Sequence, residues 1–122
     1  NEQQARERKL PYRVAVYGYD LVNRAIAMHR TEGFVKLLVS DDEDMRILGL
    51  RALGVHASTT METVSLMISQ RRPIRDLAEL FHPHPAIPEG LQDCVRMLLG
   101  TSLYKPHVFS SSLRLSRVTY GD

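Results

Sequence analysis

Cysteine is nearly absent from this sequence, since Cys94 is the single one among 122 residues. One cysteine excludes a disulfide within the chain and is typical of a reducing compartment, so we expect a cytoplasmic protein. The sequence also contains no Gly-x-Gly-x-x-Gly segment and no pair of closely spaced cysteines. These absences indicate that the chain alone binds no dinucleotide and carries no dithiol redox centre.

A strong net charge is missing as well. The 16 Lys and Arg residues exceed the 14 Asp and Glu residues by two, and the basic residues are scattered along the chain. This distribution argues against a nucleic acid partner. No apolar run approaches the roughly 20 residues that span a bilayer, and there is no signal peptide, so we expect no membrane association.

The remaining composition, 43% hydrophobic and 25% charged, is that of one globular domain with a modest core. Strand-forming residues predict three strands, over residues 12–19, 33–39 and 45–53. Helical spacing predicts helices over residues 1–9, 57–71, 73–80 and 88–99. Residues 20–30 fit neither pattern well. The second and third strands are apolar on both faces, so we expect helices or another subunit to cover both faces of the sheet.

Several segment ends carry specific expectations. Residues 40–44 hold four consecutive acids and predict a solvated hairpin turn, because the spacing of a calcium loop is absent. Ser58 or Thr59 would cap the helix over residues 57–71, with Glu62 completing a capping box. Residues 1–9 suggest a surface helix whose beginning lies before the sequence, as in a fragment of a longer polypeptide.

The last predicted helix ends at Gly100 and places Cys94 on its apolar stripe, which favours a buried, inert thiol. Residues 101–122 have no clean periodicity. Within them, residues 113–120 fit a short strand or a disordered tail.

The segment between the last two helices, residues 81–90, holds the strongest candidate for chemistry. Its prolines exclude helix and fix a stiff turn. His84 can exchange protons near neutral pH, and Glu89 follows five residues later, where it could orient the imidazole. A merely structural turn is the alternative. A metal site at His82 and His84 has less support, because no further ligands stand at a suitable spacing.

Taken in order, the segments resemble the C-terminal dimerisation domain of the pyridine nucleotide–disulfide oxidoreductases, the family of dihydrolipoamide dehydrogenase and glutathione reductase. The matching pieces are Glu2-Gln3-Gln4-Ala5-Arg6-Glu7, Arg24-Ala25, Gly33-Phe34-Val35-Lys36-Leu37, Ile47-Leu48-Gly49, Asp76-Leu77-Ala78, and His82-Pro83-His84-Pro85 with Glu89.

The resemblance implies an α+β fold with an antiparallel sheet flanked by helices, paired as a homodimer. Residues 1–100 would form the dimerisation domain and residues 101–122 an extension of unknown role. His84 would be the catalytic acid–base residue and Glu89 its orienting partner, both reaching the disulfide site of the other subunit. The His84–Pro85 peptide bond would be cis.

The resemblance also implies that the parent enzyme uses FAD and NAD(P), held by upstream domains of the same polypeptide and not by this chain. His84 argues against the mercuric reductase branch, where tyrosine commonly replaces it. Thr59 stands where the family often has an acidic residue, so pairing across the dimer would differ there. The alternative function is a stand-alone dimerising interaction module without catalytic activity.

Overall fold

The computed structural model describes residues 1–121 and contains a four-stranded antiparallel sheet. The strands are β1 (Tyr12–Gly18), β2 (Gly33–Ser40), β3 (Ile47–Gly54) and β4 (Leu113–Val118). The helices are α1 (Glu2–Glu7), α2 (Asn23–Ala27), α3 (Met61–Ser69), α4 (Arg75–Ala78) and α5 (Glu89–Leu99). Helices lie on both sides of the sheet, so the predicted α+β class is confirmed.

The strands lie in the order β3-β2-β1-β4. β1, β2 and β3 are consecutive neighbours, and the turn between β2 and β3 is the hairpin that the acidic run predicted. The register between these two strands shifts between Leu38 and Val39. The fourth strand comes from the far end of the chain and pairs with the other side of β1, where Tyr17 faces Leu113.

The main core lies between one face of the sheet and the helices α3, α4 and α5. Alternating strand residues point into it, among them Ala15, Tyr17, Val35 and Leu37. Helix α5 lies on this face against β1 and β2. It therefore holds the chain just before it, the predicted His-Pro turn, at a fixed place beside the sheet.

A smaller cluster occupies the other face under α1, where Ala5 packs with Tyr12, Val14 and Leu38. The second strand is therefore packed on both faces, as its apolar pattern predicted, whereas Leu48 and Leu53 of the third strand remain 42% and 62% exposed. At the start of α1, the Asn1 side chain accepts a hydrogen bond from the backbone N–H of Gln4, and Oε1 of Gln4 accepts one from the amino group of Asn1, which is the pattern of a capping box.

The predicted helix over residues 57–71 divides into a 3₁₀ turn, Ala57–Thr60, followed by α3. The predicted capping box does not form, because the Thr59 hydroxyl donates to the carbonyl of His56 instead. The buried stripe runs through Val64 and Met67, while Ile68 lies exposed. The ambiguous residues 20–30 form a second 3₁₀ turn, Tyr19–Leu21, and the short helix α2.

Two charge clusters attach β4 to the rest of the fold. The Glu2 carboxylate accepts hydrogen bonds from Lys36 on β2 at 2.9 Å and from Arg114 on β4 at 2.8 Å. The Asp41 carboxylate accepts one from Arg13 on β1 at 2.7 Å and one from Arg117 on β4 at 2.9 Å. The tail beyond α5 thus forms an ordered edge of the same sheet.

Asp41 corrects the expectation that the acidic run is only a solvated turn. Its side chain is 4% exposed and lies between two guanidinium groups. These hydrogen bonds, chiefly the one from Arg13, hold the pKa of Asp41 below its usual range. One of the four acids is therefore a structural anchor.

Candidate functional site

The His-Pro turn places His84 beside the first residue of α5. The Nδ1 atom of His84 lies 2.9 Å from both carboxylate oxygens of Glu89, so the predicted contact between the two side chains is present. The His84–Pro85 peptide bond is cis, as expected from the resemblance. Because Nδ1 faces the carboxylate, the second ring nitrogen, Nε2, is left for another group.

Glu89 is held more firmly than His84. It is the first residue of α5, following Pro88, which sits at the N-cap one position earlier than expected. Its Oε1 atom also accepts a hydrogen bond from the backbone N–H of Ala86 at 2.8 Å. The carboxylate is 21% exposed, whereas the imidazole is 60% exposed. A fixed acceptor thus orients a ring that remains open to solvent.

Close packing under α5 fixes the height of this helix above the sheet. Gly90 packs closely on the sheet: an added Cβ would lie 3.2 Å from a methyl group of Val35 and 3.3 Å from one of Val22, so both side chains would have to shift by a few tenths of an ångström. Buried Leu91 and Cys94 then continue the apolar face of α5. The helix ends at Gly100, whose φ of 76° is in the left-handed region that glycine tolerates.

His82 has a different role from His84. Its Nε2 atom lies 2.9 Å from the carbonyl oxygen of Leu77, where it donates a hydrogen bond that ties the turn to α4. Among residues 1–121 there is no group of three or more His, Cys, Asp or Glu side chains placed to hold a metal ion.

A cavity of about 220 Å³ adjoins the His84–Glu89 pair. The residues that line it come from β1, the 3₁₀ turn and the start of α2 after it, the His-Pro turn, α5 and the tail. They are Tyr17, Leu21, Val22, Asn23, His84, Glu89, Asp93, Arg96, Ser102, Leu103 and Tyr104. Both members of the candidate pair therefore face an enclosed space as well as open solvent.

Beyond His84 and Glu89, the sequence reasoning did not find the polar groups of this cavity. Asp93 stands four residues after Glu89 and so lies one helical turn further on the same face, a spacing that could have signalled it. Burial raises the pKa of Asp93, and the Arg96 guanidinium, 3.2 Å away, opposes that shift. Burial also raises the pKa of Tyr17, which is nearly fully enclosed.

Cys94 lies beneath the site and is inaccessible. Its sulfur contacts the carbonyl oxygens of Val35 at 3.6 Å and Ala15 at 3.7 Å. Burial raises the pKa of the thiol, which keeps it protonated and unreactive. The expectation of a buried thiol is confirmed.

Comparison with known proteins gives a consistent result. The model of the protein family described as "Pyridine nucleotide-disulphide oxidoreductase, dimerisation domain" matches residues 1–95. The chain is 31% identical over 103 residues to dihydrolipoyl dehydrogenase of Geobacillus stearothermophilus, covering 84% of this chain and 22% of that protein. It is also 31% identical over 104 residues to dihydrolipoamide dehydrogenase of Chaetomium thermophilum, covering 85% and 20%.

Solved structures agree with these relatives. The HOCl-induced flavoprotein disulfide reductase RclA of Escherichia coli superposes with a TM-score of 0.73 and 26% identity, over 80% of this chain and 22% of that one. The chain spans about a fifth of the length of the relatives and structures it matches. No helix among residues 1–121 is both long and apolar enough to cross a bilayer.

Proposed function

The chain belongs to the family of pyridine nucleotide-disulphide oxidoreductase dimerisation domains, and on that premise we propose that it supplies His84 and Glu89 as an acid–base pair to the disulfide site of a partner subunit. The parent enzyme is then a flavin-dependent oxidoreductase of the dihydrolipoamide dehydrogenase type. The observation that carries this proposal is the paired contact of His84 Nδ1 with both oxygens of Glu89.

The geometry supports acid–base work on a thiol. Thiolate, and not thiol, attacks a disulfide, so a nearby base that removes the thiol proton speeds exchange. Nε2 of His84 can accept that proton, because Nδ1 is already directed at Glu89. The carboxylate stabilises the imidazolium that results and keeps the ring in place. When the exchange reverses, the same nitrogen returns the proton to the leaving thiolate.

The cofactors implied for the parent enzyme do not fit the cavity beside His84. The cavity beside His84 measures about 220 Å³, below the roughly 300–1,000 Å³ of pockets that hold drug-sized ligands. No Gly-x-Gly-x-x-Gly loop is present to bind a pyrophosphate through its backbone N–H groups. In the proposal, FAD and NAD(P) are bound by other domains of the same polypeptide. Buried Cys94, the one cysteine, supports the expectation of the reducing cytoplasm.

Stopped-flow kinetics on the separate half-reactions of the parent enzyme test the catalytic role. His84→Gln should slow the disulfide half-reaction by roughly 10²–10⁴-fold, the usual loss when an acid–base group is removed. Reduction of the flavin by the nicotinamide should be nearly unchanged. In Glu89→Gln the disulfide half-reaction should be slower than in wild type and faster than in His84→Gln, because the base is still present but its orientation is looser.

His82→Ala is the matched control, because its ring serves a backbone carbonyl in the same turn. It should change the disulfide half-reaction little. Wild-type turnover by His84→Gln would contradict the catalytic role and favour the stand-alone interaction module.

We also propose that the parent enzyme is a homodimer that pairs through this domain. Large apolar side chains lie exposed on β3, on α3 and in the segment after α4, and these are Leu53, Met61, Leu66, Ile68, Leu80 and Phe81. Exposed apolar surface of this extent is typical of an interface, and two-fold pairing is the commonest way to cover it.

Sedimentation velocity at micromolar concentration tests this pairing on the chain itself. The chain should sediment as a dimer, and Leu66→Asp should dissociate it, because a charge at a packed interface carries a desolvation penalty. Val108→Asp, an equally drastic change at an exposed tail position, should leave the dimer intact. A monomer with concentration-independent unfolding would refute the pairing.

A further inference from the structure

A second cavity adjoins the His-Pro turn, and it shares no lining residue with the cavity beside the His84–Glu89 pair. It measures about 400 Å³ and is lined by Arg24, His56, Thr59 and residues 85–88. We propose, resting on the homodimer proposed above, that this cavity receives Glu79-Leu80-Phe81, the docking segment, from a second copy of the chain. Phe81 then packs against the prolines of the turn, and Glu79 pairs with Arg24.

The docking segment leaves the end of α4 with little of its own chain over it. Phe81 is 91% exposed and Leu80 is 49% exposed, and Glu79 is exposed as well. Phe81 is the most exposed large apolar side chain within residues 1–121. An aromatic ring left in water is typical of an interface anchor, because a partner that buries it removes a large apolar area from solvent.

The charge of Glu79 is available to another chain. Arg75, one helical turn earlier, contacts Asp44 at 3.2 Å. Arg72, the next arginine back along the chain, contacts Asp76 at 2.6 Å. The two arginines nearest to Glu79 in the sequence therefore already have acidic partners, and Glu79 itself forms no ion pair within residues 1–121.

The cavity offers the matching cation. Arg24 lies exposed on α2, and within residues 1–121 it too is absent from the ion pairs. The lining residues include no carboxylate. Glu89, which follows the turn, is engaged by His84 and by the backbone N–H of Ala86. A guanidinium in this position can pair with an incoming carboxylate and can also lie over the face of an aromatic ring.

The shape of the cavity suits the docking segment. At about 30 Å³ per water in the liquid, 400 Å³ corresponds to roughly thirteen water molecules, which is room for a benzyl group with a carboxylate beside it. Pro85 and Pro88 have a fixed φ, and Ile87 between them is only 3% exposed, so this wall is stiff and apolar. On the opposite wall, Thr59 donates to the carbonyl of His56 through its hydroxyl at 2.7 Å.

Two-fold symmetry makes the contact reciprocal. In an isologous pair, the docking segment of each copy enters the cavity of the other, so the Arg24–Glu79 pair forms twice. Exposed Leu53 and Met61 flank the stretch that supplies His56 and Thr59, which joins the cavity to the apolar surface of β3 and α3. The apolar surface favours pairing, and the charge pair makes it specific for a second copy of this chain, because a like charge at either position is repelled.

The test combines two charge reversals in the full chain. Arg24→Glu and Glu79→Arg should each raise the Kd of the dimer at least about tenfold, because each variant on its own places like charges together twice. A mixed dimer of the two variants again brings opposite charges together at both contacts. The mixture should therefore associate with a Kd within about threefold of wild type. Fluorescence-detected sedimentation, with one variant labelled, measures both values.

Matched controls lie outside the cavity. Glu62→Arg, at an exposed position in the first turn of α3, should not restore association when it is mixed with Arg24→Glu. Phe81→Ala should raise the Kd by about 30-fold or more, as for an interface anchor. Leu103→Ala removes a side chain that is equally apolar and 87% exposed, and it should leave the Kd unchanged.

The outcomes separate this contact from the homodimer itself. Wild-type association of the single charge reversals, or a mixture that associates no better than either variant alone, overturns the assignment of the docking segment to the cavity. If Leu66→Asp still dissociates the dimer in that case, the homodimer stands and only the assignment fails. A monomeric wild-type chain overturns both. The acid–base role of His84 is measured in the half-reactions and depends on neither result.

Discussion

Replacing Asp41 by Asn should destabilise the chain, because this carboxylate joins three strands of the sheet. It lies in the turn after β2 and receives Arg13 from β1 and Arg117 from β4. Asn keeps nearly the same shape but loses the charge, and it offers one acceptor oxygen where the carboxylate offers two. The tail strand then loses one of its two charged attachments.

The magnitude follows from burial. A hydrogen bond to a charged group contributes about 1.5–3 kcal/mol, and the bond from Arg13 belongs in this range because the carboxylate is only 4% exposed. Arg117 is 62% exposed, so its bond contributes about 0.2–1 kcal/mol, as for a surface pair. Asn retains part of one bond. The net loss should be about 2 kcal/mol.

Urea unfolding at neutral pH, read by circular dichroism, measures this loss directly. Asp44→Asn is the matched control, since it is the same substitution in the same turn. Asp44 is half exposed and contacts Arg46 at 4.0 Å and Arg75 at 3.2 Å. The free energy of unfolding of Asp44→Asn should be less than about 0.5 kcal/mol below that of wild type.

The pH dependence supplies a second, independent check. Because the pKa of Asp41 is lowered in the folded chain, this carboxylate contributes fully to the free energy of unfolding above the usual aspartate pKa of about 3.9. This contribution is then lost as the pH falls through the lower folded value. The difference between wild type and Asp41→Asn should therefore be constant at neutral pH and vanish in acid. An effect no larger than that of Asp44→Asn, or one that persists in acid, would refute the reasoning.

Two further predictions concern the core. Leu113→Ala should lower the free energy of unfolding by about 2–5 kcal/mol, because this side chain is buried in the main core, whereas Leu115→Ala, half exposed on the same strand, should cost less than about 1 kcal/mol. Cys94 should react with a chromogenic disulfide reagent only after denaturant is added; rapid reaction of the native chain would contradict the burial of its thiol.

Local sequence signals predicted most of the first hundred residues. β-Branched and aromatic runs marked β1 and β2, since these residues suit an extended, half-buried backbone. The prolines placed the turn that carries His84. The distance of five residues to Glu89 made their contact possible, and the resemblance to the family implied it. Gly100 marked the end of α5 correctly, because only glycine readily adopts the left-handed conformation found there.

Tertiary contacts decided what local patterns could not. The Thr59 hydroxyl could accept a hydrogen bond from a backbone N–H later in the chain or donate one to the carbonyl of His56. In the 3₁₀ turn it donates to His56. The face of α3 that is buried depended on where β3 lies, which left Val64 and Met67 buried and Ile68 exposed. Neither outcome is encoded in the spacing of the residues alone.

The tail shows most clearly the difference between what local sequence predicts and what tertiary contacts decide. From its sequence, residues 113–120 could be strand or disorder, because eight residues with mixed polarity have little intrinsic preference. β4 forms because β1 offers an unpaired edge and because Asp41 and Glu2 stand opposite Arg117 and Arg114, partners 76 and 112 positions away in sequence. The sequence by itself therefore determined the His84–Glu89 pair, which is local, whereas the cavity beside it exists only because the folded sheet brings the tail back to that place.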